Sequence, residues 1–149
     1  MKLLFADRFR AKVADFGLSA KKKVGATGTP FWMAPELLLG TDTNNPSTDV
    51  YSFGIVMSEV FARKDPYSEF DGEDIEAVIA RITDPSINLR PTVPKESAQN
   101  AVILMNECVA CDPVQRPSFE EIGECSIIRP LASLTQCLKI HRPTRPTSR

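Results

Sequence analysis

The stretch "STDVYSFGIVMSEVFAR", residues 47–63, constrains the fold more than any other part of the chain. Val50, Phe53, Ile55, Val56, Met57, Val60 and Phe61 cover most of the circumference of the helix it predicts. A helix apolar on nearly every side cannot lie on a surface; it needs packing partners all round. The rest of the chain must therefore be built about it. Ser47 or Thr48 is expected to cap this helix. Asp49 suits its first turn, where a carboxylate meets the positive end of the helix dipole.

The flanking segments are the candidates for that packing. Leu3-Leu4-Phe5 and Lys12-Val13-Ala14 read as two short strands joined by "ADRFR". Residues 15–29, "DFGLSAKKKVGATGT", form a polar loop, and "APELLLG" predicts a short helix after Pro35 with Gly40 as its stop. Downstream, Asp71 is expected to cap a surface helix whose Ile75, Val78, Ile79 and Ile82 recur at i, i+3, i+4 and i+7. "DPSINLRPTVP" is a proline-punctuated connector, and Ser97 opens "SAQNAVILMNECVAC", which Asp112-Pro113 stops. Ser118 and Glu121 stand at capping-box spacing for a last helix. The expected class is mainly α: a short β-hairpin, a long loop, then about four to five helices.

Composition narrows the function. The 149 residues suit one domain, and a net charge of −1 offers no field for nucleic acid. No apolar run approaches the ~20 residues of a membrane helix. "MKLLFADRFR" lacks the apolar core and cleavage site of an export signal, so a cytoplasmic setting with reduced cysteines is expected. Charge is uneven, however. Residues 129–149 carry Arg129, Lys139, Arg142, Arg145 and Arg149 with no acid, which reads as a loosely ordered basic tail with a short helix around "LASLTQCLKI".

Four signatures stand in one order: D-F-G at 15–17, "GTPFWMAPE" at 28–36, "DVYSFGIVMSEV" at 49–60 and "DPVQRPSF" at 112–119. Together they resemble the C-terminal lobe of a eukaryotic protein kinase. "FWMAPE" with "DVYSFGIV" is most similar to the tyrosine-kinase-like group, whose members mostly modify Ser or Thr. The resemblance covers residues 3–126 and leaves 127–149 as the tail.

The resemblance implies a role for each matching residue. Asp15 would coordinate the Mg²⁺ that bridges the β- and γ-phosphates of ATP. Phe16 would pack beneath it, and Gly17 would let the backbone turn there. Residues 18–27 correspond to the activation segment, with Ser19 and Thr27 as candidate phosphosites. Lys21, Lys22 and Lys23 are their possible charge partners or an ordinary solvated run. Thr29 matches the threonine that contacts the catalytic loop and the substrate backbone in Ser/Thr-type kinases. Glu36 and Arg116 match a buried ion pair tying the activation segment to the last helices. Asp49 matches an acid that accepts hydrogen bonds from the catalytic loop, a role compatible with its place in a helix's first turn. Cys108 and Cys111 invite a zinc or redox reading as C-x-x-C. A structural zinc needs about four ligands, and the family often places a core cysteine at Cys108.

The sequence also lacks parts that the resemblance leads one to expect. It contains no G-x-G-x-x-G, no V-A-I-K and no H-R-D, and Lys2 falls where the second metal ligand, an Asn, would stand. A charged lysine has no lone pair for Mg²⁺. The leading expectation is therefore a truncated kinase domain starting just after the catalytic loop. Its parent activity would be Mg-ATP-dependent transfer to protein Ser/Thr. The chain alone is expected to be inactive, to hold Mg²⁺ and ATP only weakly, and to need the absent N-terminal lobe. The alternative is a non-catalytic module that binds a protein substrate or regulator, with the helix from Asp71 as its docking face. The kinase-homology region of a receptor cyclase ranks last, because "FWMAPE" fits an active activation segment better.

Overall fold

Asn45 and Pro46 set the start of the helix around which everything else packs. The structure, a computed structural model, describes residues 2–6, 10–14, 30–41 and 45–124. Two antiparallel strands come first, β1 (Lys2–Ala6) and β2 (Arg10–Ala14), with Leu4 opposite Lys12 in their register. Five α-helices follow among the described residues: α1 (Pro35–Leu38), α2 (Pro46–Ala62), α3 (Ile75–Thr83), α4 (Gln99–Cys108) and α5 (Phe119–Glu124). A hairpin followed by helices is the class the sequence led us to expect.

The cap of α2 differs from the expected one. Asn45, not Ser47 or Thr48, is the N-cap: its side-chain oxygen accepts from the Ser47 amide at 3.1 Å. Pro46 explains the shift, since proline suits the first helical position, where no amide hydrogen is needed. Asp71 likewise does not cap α3. It closes the turn at Ser68–Phe70, and α3 starts four residues later behind Asp74. Gly40, at φ +68°, ends the turn that follows α1, a backbone setting glycine adopts without steric cost.

Two cores flank α2. On one side Tyr51 and Ile55 pack with Ala34, Tyr67, Val78, Ile82 and Val109. On the other, Val50 meets Leu104, Cys108 and Ile122, with Phe53 and Met57 packed against them. The prediction of a central helix therefore holds, except that Val60 near its end is 62% exposed. Gly54 lets α2 and α4 approach. A Cβ there would stand 2.7 Å from Val109 Cγ1 and 2.8 Å from Cys108 Cβ, closer than packed carbons tolerate.

Arg90 fastens the connector between α3 and α4. Its guanidinium donates to the carbonyls of Val109 at 2.7 Å, Leu89 at 2.7 Å and Ile82 at 3.1 Å, and lies over the Tyr51 ring. The Ile82 and Val109 carbonyls lie at the C-terminal ends of two different helices. One side chain thus binds α3 to the C-terminus of α4.

Candidate functional site

Glu36 lies in the first turn of α1, where its charge suits the helix dipole. Arg116 follows the 3-10 turn Pro113–Gln115, which Asp112 caps by accepting from the Val114 amide at 3.0 Å. The fold brings these two residues, 80 positions apart, into a two-pronged ion pair: Nη1 to Oε1 at 2.6 Å and Nη2 to Oε2 at 2.9 Å. Arg116 also donates to the carbonyls of Ala110 at 2.9 Å, Ser47 at 3.0 Å and Cys111 at 3.4 Å. A guanidinium has five N–H donors, and each one here has an acceptor. The Arg116 side chain is fully buried and the Glu36 side chain nearly so. Its guanidinium sits 5.0 Å from the centre of the Tyr51 ring. Planar, bidentate and stacked, the site is one that lysine could not fill.

A second clasp holds the turn just before α1. The indole N–H of Trp32 donates to Glu59 Oε2 at 3.1 Å, and Ser52 Oγ donates to the Trp32 carbonyl at 2.8 Å. Sequence reasoning singled out neither Ser52 nor Glu59. The available signal was their spacing: seven residues apart on one helix, they share a face, and a half-buried indole N–H needs an acceptor. Phe31 adds a tilted ring contact to Tyr67 at 5.4 Å. Together the two clasps fix residues 30–36 against α2 and the last helices.

The other expected site residues are placed as follows. Asp15, Phe16, Gly17, Ser19, Thr27 and Thr29 lie outside the described residues, as do Lys21–Lys23. Asp49 occupies the first turn of α2 and is exposed. Cys108 is wholly buried, and burial, with the Glu107 charge behind it, pushes its thiol up to about 12. A thiol that keeps its proton at neutral pH is a poor metal ligand or nucleophile. Burial also holds the Tyr51 and Tyr67 phenols, which lie beside one another, above the ordinary tyrosine value. Both stay neutral, consistent with a packing role. Among the described residues no group of three or more His, Cys, Asp or Glu could hold a metal ion.

Comparison with known proteins now assigns the family. The profile described as "Protein tyrosine and serine/threonine kinase" matches residues 2–125, and the chain belongs to this protein kinase family. Among its relatives is the dual specificity protein kinase shkC of Dictyostelium discoideum, 38% identical over 130 residues, or 80% of this chain and 24% of that protein. The probable serine/threonine-protein kinase drkC of the same organism is 39% identical over 128 residues, 80% of this chain and 16% of that one. A probable LIM domain-containing serine/threonine-protein kinase, also from Dictyostelium discoideum, is 36% identical over 141 residues, 91% of this chain and 20% of that protein. The chain thus spans about a quarter or less of the length of each of these relatives.

Proposed function

We propose that residues 3–126 are the helical lobe and activation-segment anchor of a tyrosine-kinase-like protein kinase, and that residues 127–149 are a basic tail. The parent reaction is transfer of the γ-phosphoryl group of Mg-ATP to a protein Ser or Thr in the cytoplasm. The observation that carries the reading is the Glu36–Arg116 pair. It joins the end of "GTPFWMAPE", the stretch that would face a protein substrate, to the turn before the last helix. Thr29 within that stretch supports a Ser/Thr preference.

The residues present fit the nucleotide's metal only in part. Asp15 offers a hard oxygen of the kind Mg²⁺ prefers, but Lys2 offers none, and no H-R-D occurs in the 149 residues. No catalytic step is therefore derived through the metal. What these residues do is orient and hold. The clasps at Trp32 and Glu36 hold the segment that would position the hydroxyl, and Asp49, exposed in the first turn of α2, would accept from a catalytic loop. Positioning and charge stabilisation account for most of catalysis in phosphoryl transfer, so these 149 residues alone transfer negligible phosphate.

The test is a chimera in which these residues follow the nucleotide-binding lobe and catalytic loop of shkC. Phosphoserine and phosphothreonine on a protein substrate are expected, with loss of transfer in Asp15→Asn. Predominant phosphotyrosine would overturn the Ser/Thr assignment, and no transfer from a folded chimera would overturn the catalytic one. A second reading is a non-catalytic module that docks a substrate or regulator through α3; the exposed Asp71, Glu73, Asp74 and Glu76 at its start favour it. Saturable binding by the 149-residue chain, abolished by charge reversal at Glu73 and Glu76, supports that reading; binding unaffected by the reversal removes it.

A further inference from the structure

The described structure ends at Glu124, the last residue of α5, and residues 125–149 follow. α5 forms one wall of a groove of about 560 Å³ whose other walls are α4 and the turn through Pro117. Leu104 and Ile122 line it, 3% and 4% exposed, while Val114 at its edge is 85% exposed. Ile103, one helical turn before Glu107 on α4, is 46% exposed. The groove is acidic as well as apolar. Glu107 and Glu121 line it, and Glu120 and Glu124 add charge from the same short helix as Glu121. Asp112, exposed, opens the neighbouring turn. The sole cation among the described lining residues is Arg116, whose charge is already paired with Glu36.

The segment leaving this wall has the opposite character. Residues 129–149 hold five cations and no acid, and Leu131, Leu134 and Leu138 recur at i, i+3 and i+7. On a helical period those three positions would share one apolar face among the positive charges. The link from Glu124 to Leu131 can extend roughly 20 Å at ~3.3 Å per residue, ample for a segment that starts at the groove's own wall.

We propose that the basic tail docks in cis on the groove between α4 and α5, with its leucines over the exposed apolar surface at the groove's edge, Val114 and Ile103. Its cations then face Glu107, Glu120 and Glu124. Each exposed ion pair contributes little by itself, so the docking depends on several charges acting together with apolar burial, and it weakens with salt. The inference uses only the chain's charge and shape, and stands whether or not the kinase reading does.

Lys139, the tail's sole lysine, makes the test direct. A carbodiimide joins amines to adjacent carboxylates at zero length. In the full 149-residue chain, Lys139 is expected to couple to Glu107, Glu120 or Glu124 within one molecule. The yield should be independent of protein concentration and severalfold lower at high salt. Coupling spread equally over Asp71, Glu73 and Glu76 overturns the proposal. Products confined to dimers also overturn it, showing a second copy in the groove. As a second readout, the variant Arg142→Glu/Arg145→Glu alters the tail and no core residue. Severalfold faster hydrogen exchange at residues 103–108 and 119–124 is the expected result, and unchanged exchange there overturns the inference.

Discussion

Arg116 spends all its donors inside the protein, which makes it the most exacting residue of the described structure. Removing either partner of a buried pair leaves the other charge stranded, at a cost of about 3–5 kcal/mol. Glu36→Gln and Arg116→Ala are each expected to lose that much in urea unfolding. Arg116→Lys should recover little, because an ammonium cannot make two parallel bonds and three carbonyl contacts together. Gly54 is exacting for the opposite reason. Alanine there would gain about 1 kcal/mol of helix propensity but drive a methyl into Val109 and Cys108. Overpacking of this kind typically costs about 1–3 kcal/mol, so thermal melts of Gly54→Ala should show a net loss rather than the gain expected on an open helix face.

The elements are held by their ends. Ser118 and Glu121 form a reciprocal capping box, the Ser118 amide donating to Glu121 at 2.7 Å and the Glu121 amide to Ser118 Oγ at 3.2 Å. The Ser118 amide, and secondarily its hydroxyl, favour the ionised carboxylate and hold Glu121 below the ordinary glutamate value. The sign follows. The contribution is present above the unfolded value of about 4.3 and is lost as pH falls through the lower folded value. Ser118→Ala is expected to cost about 1 kcal/mol at neutral pH. Glu121→Gln, which removes the titrating carboxylate, should flatten the acid limb of the stability curve, which a pH series of denaturation midpoints would reveal. This box was legible in the sequence because its two members are three residues apart. So were the central helix and the stripe of Val78 and Ile82, which follow from periodicity. The Asn45 cap was misread because Ser47, Thr48 and Asn45 are all good caps, and only the backbone turn into Pro46 decides among them. The Trp32–Glu59 clasp was missed outright. Its partners are 27 residues apart, and no local pattern reports a contact made by tertiary packing. Glu36 and Arg116 are farther apart still, and only the resemblance paired them in advance.

Across the whole molecule, α2 is shared by both cores, so neither can dissolve while the other stands. Trp32, the chain's single tryptophan, reports the first core, and the helical circular dichroism signal reports both. Their unfolding curves are expected to coincide in denaturant, as two-state behaviour requires. Separate midpoints would mean that the cluster of Val50, Leu104, Cys108 and Ile122 melts by itself. A single cooperative unit also suits the proposed role. A segment that presents a hydroxyl to a nucleotide is only as well placed as the body to which it is clamped.

The 80-residue separation of Glu36 and Arg116 has a consequence for how the chain is made. Helix α1 is a single turn, far shorter than a helix that persists alone in water. Its fastening arrives only with Arg116, after α2, α3 and α4 have been translated. Until then Glu36 is a hydrated charge on a growing chain. Closing so long a loop carries an entropy cost that grows slowly with length, while its partner appears late. The turn at Trp32 can be clasped as soon as α2 has emerged, whereas Glu36, only four residues on, stays unfastened until the far end of the described structure has been made.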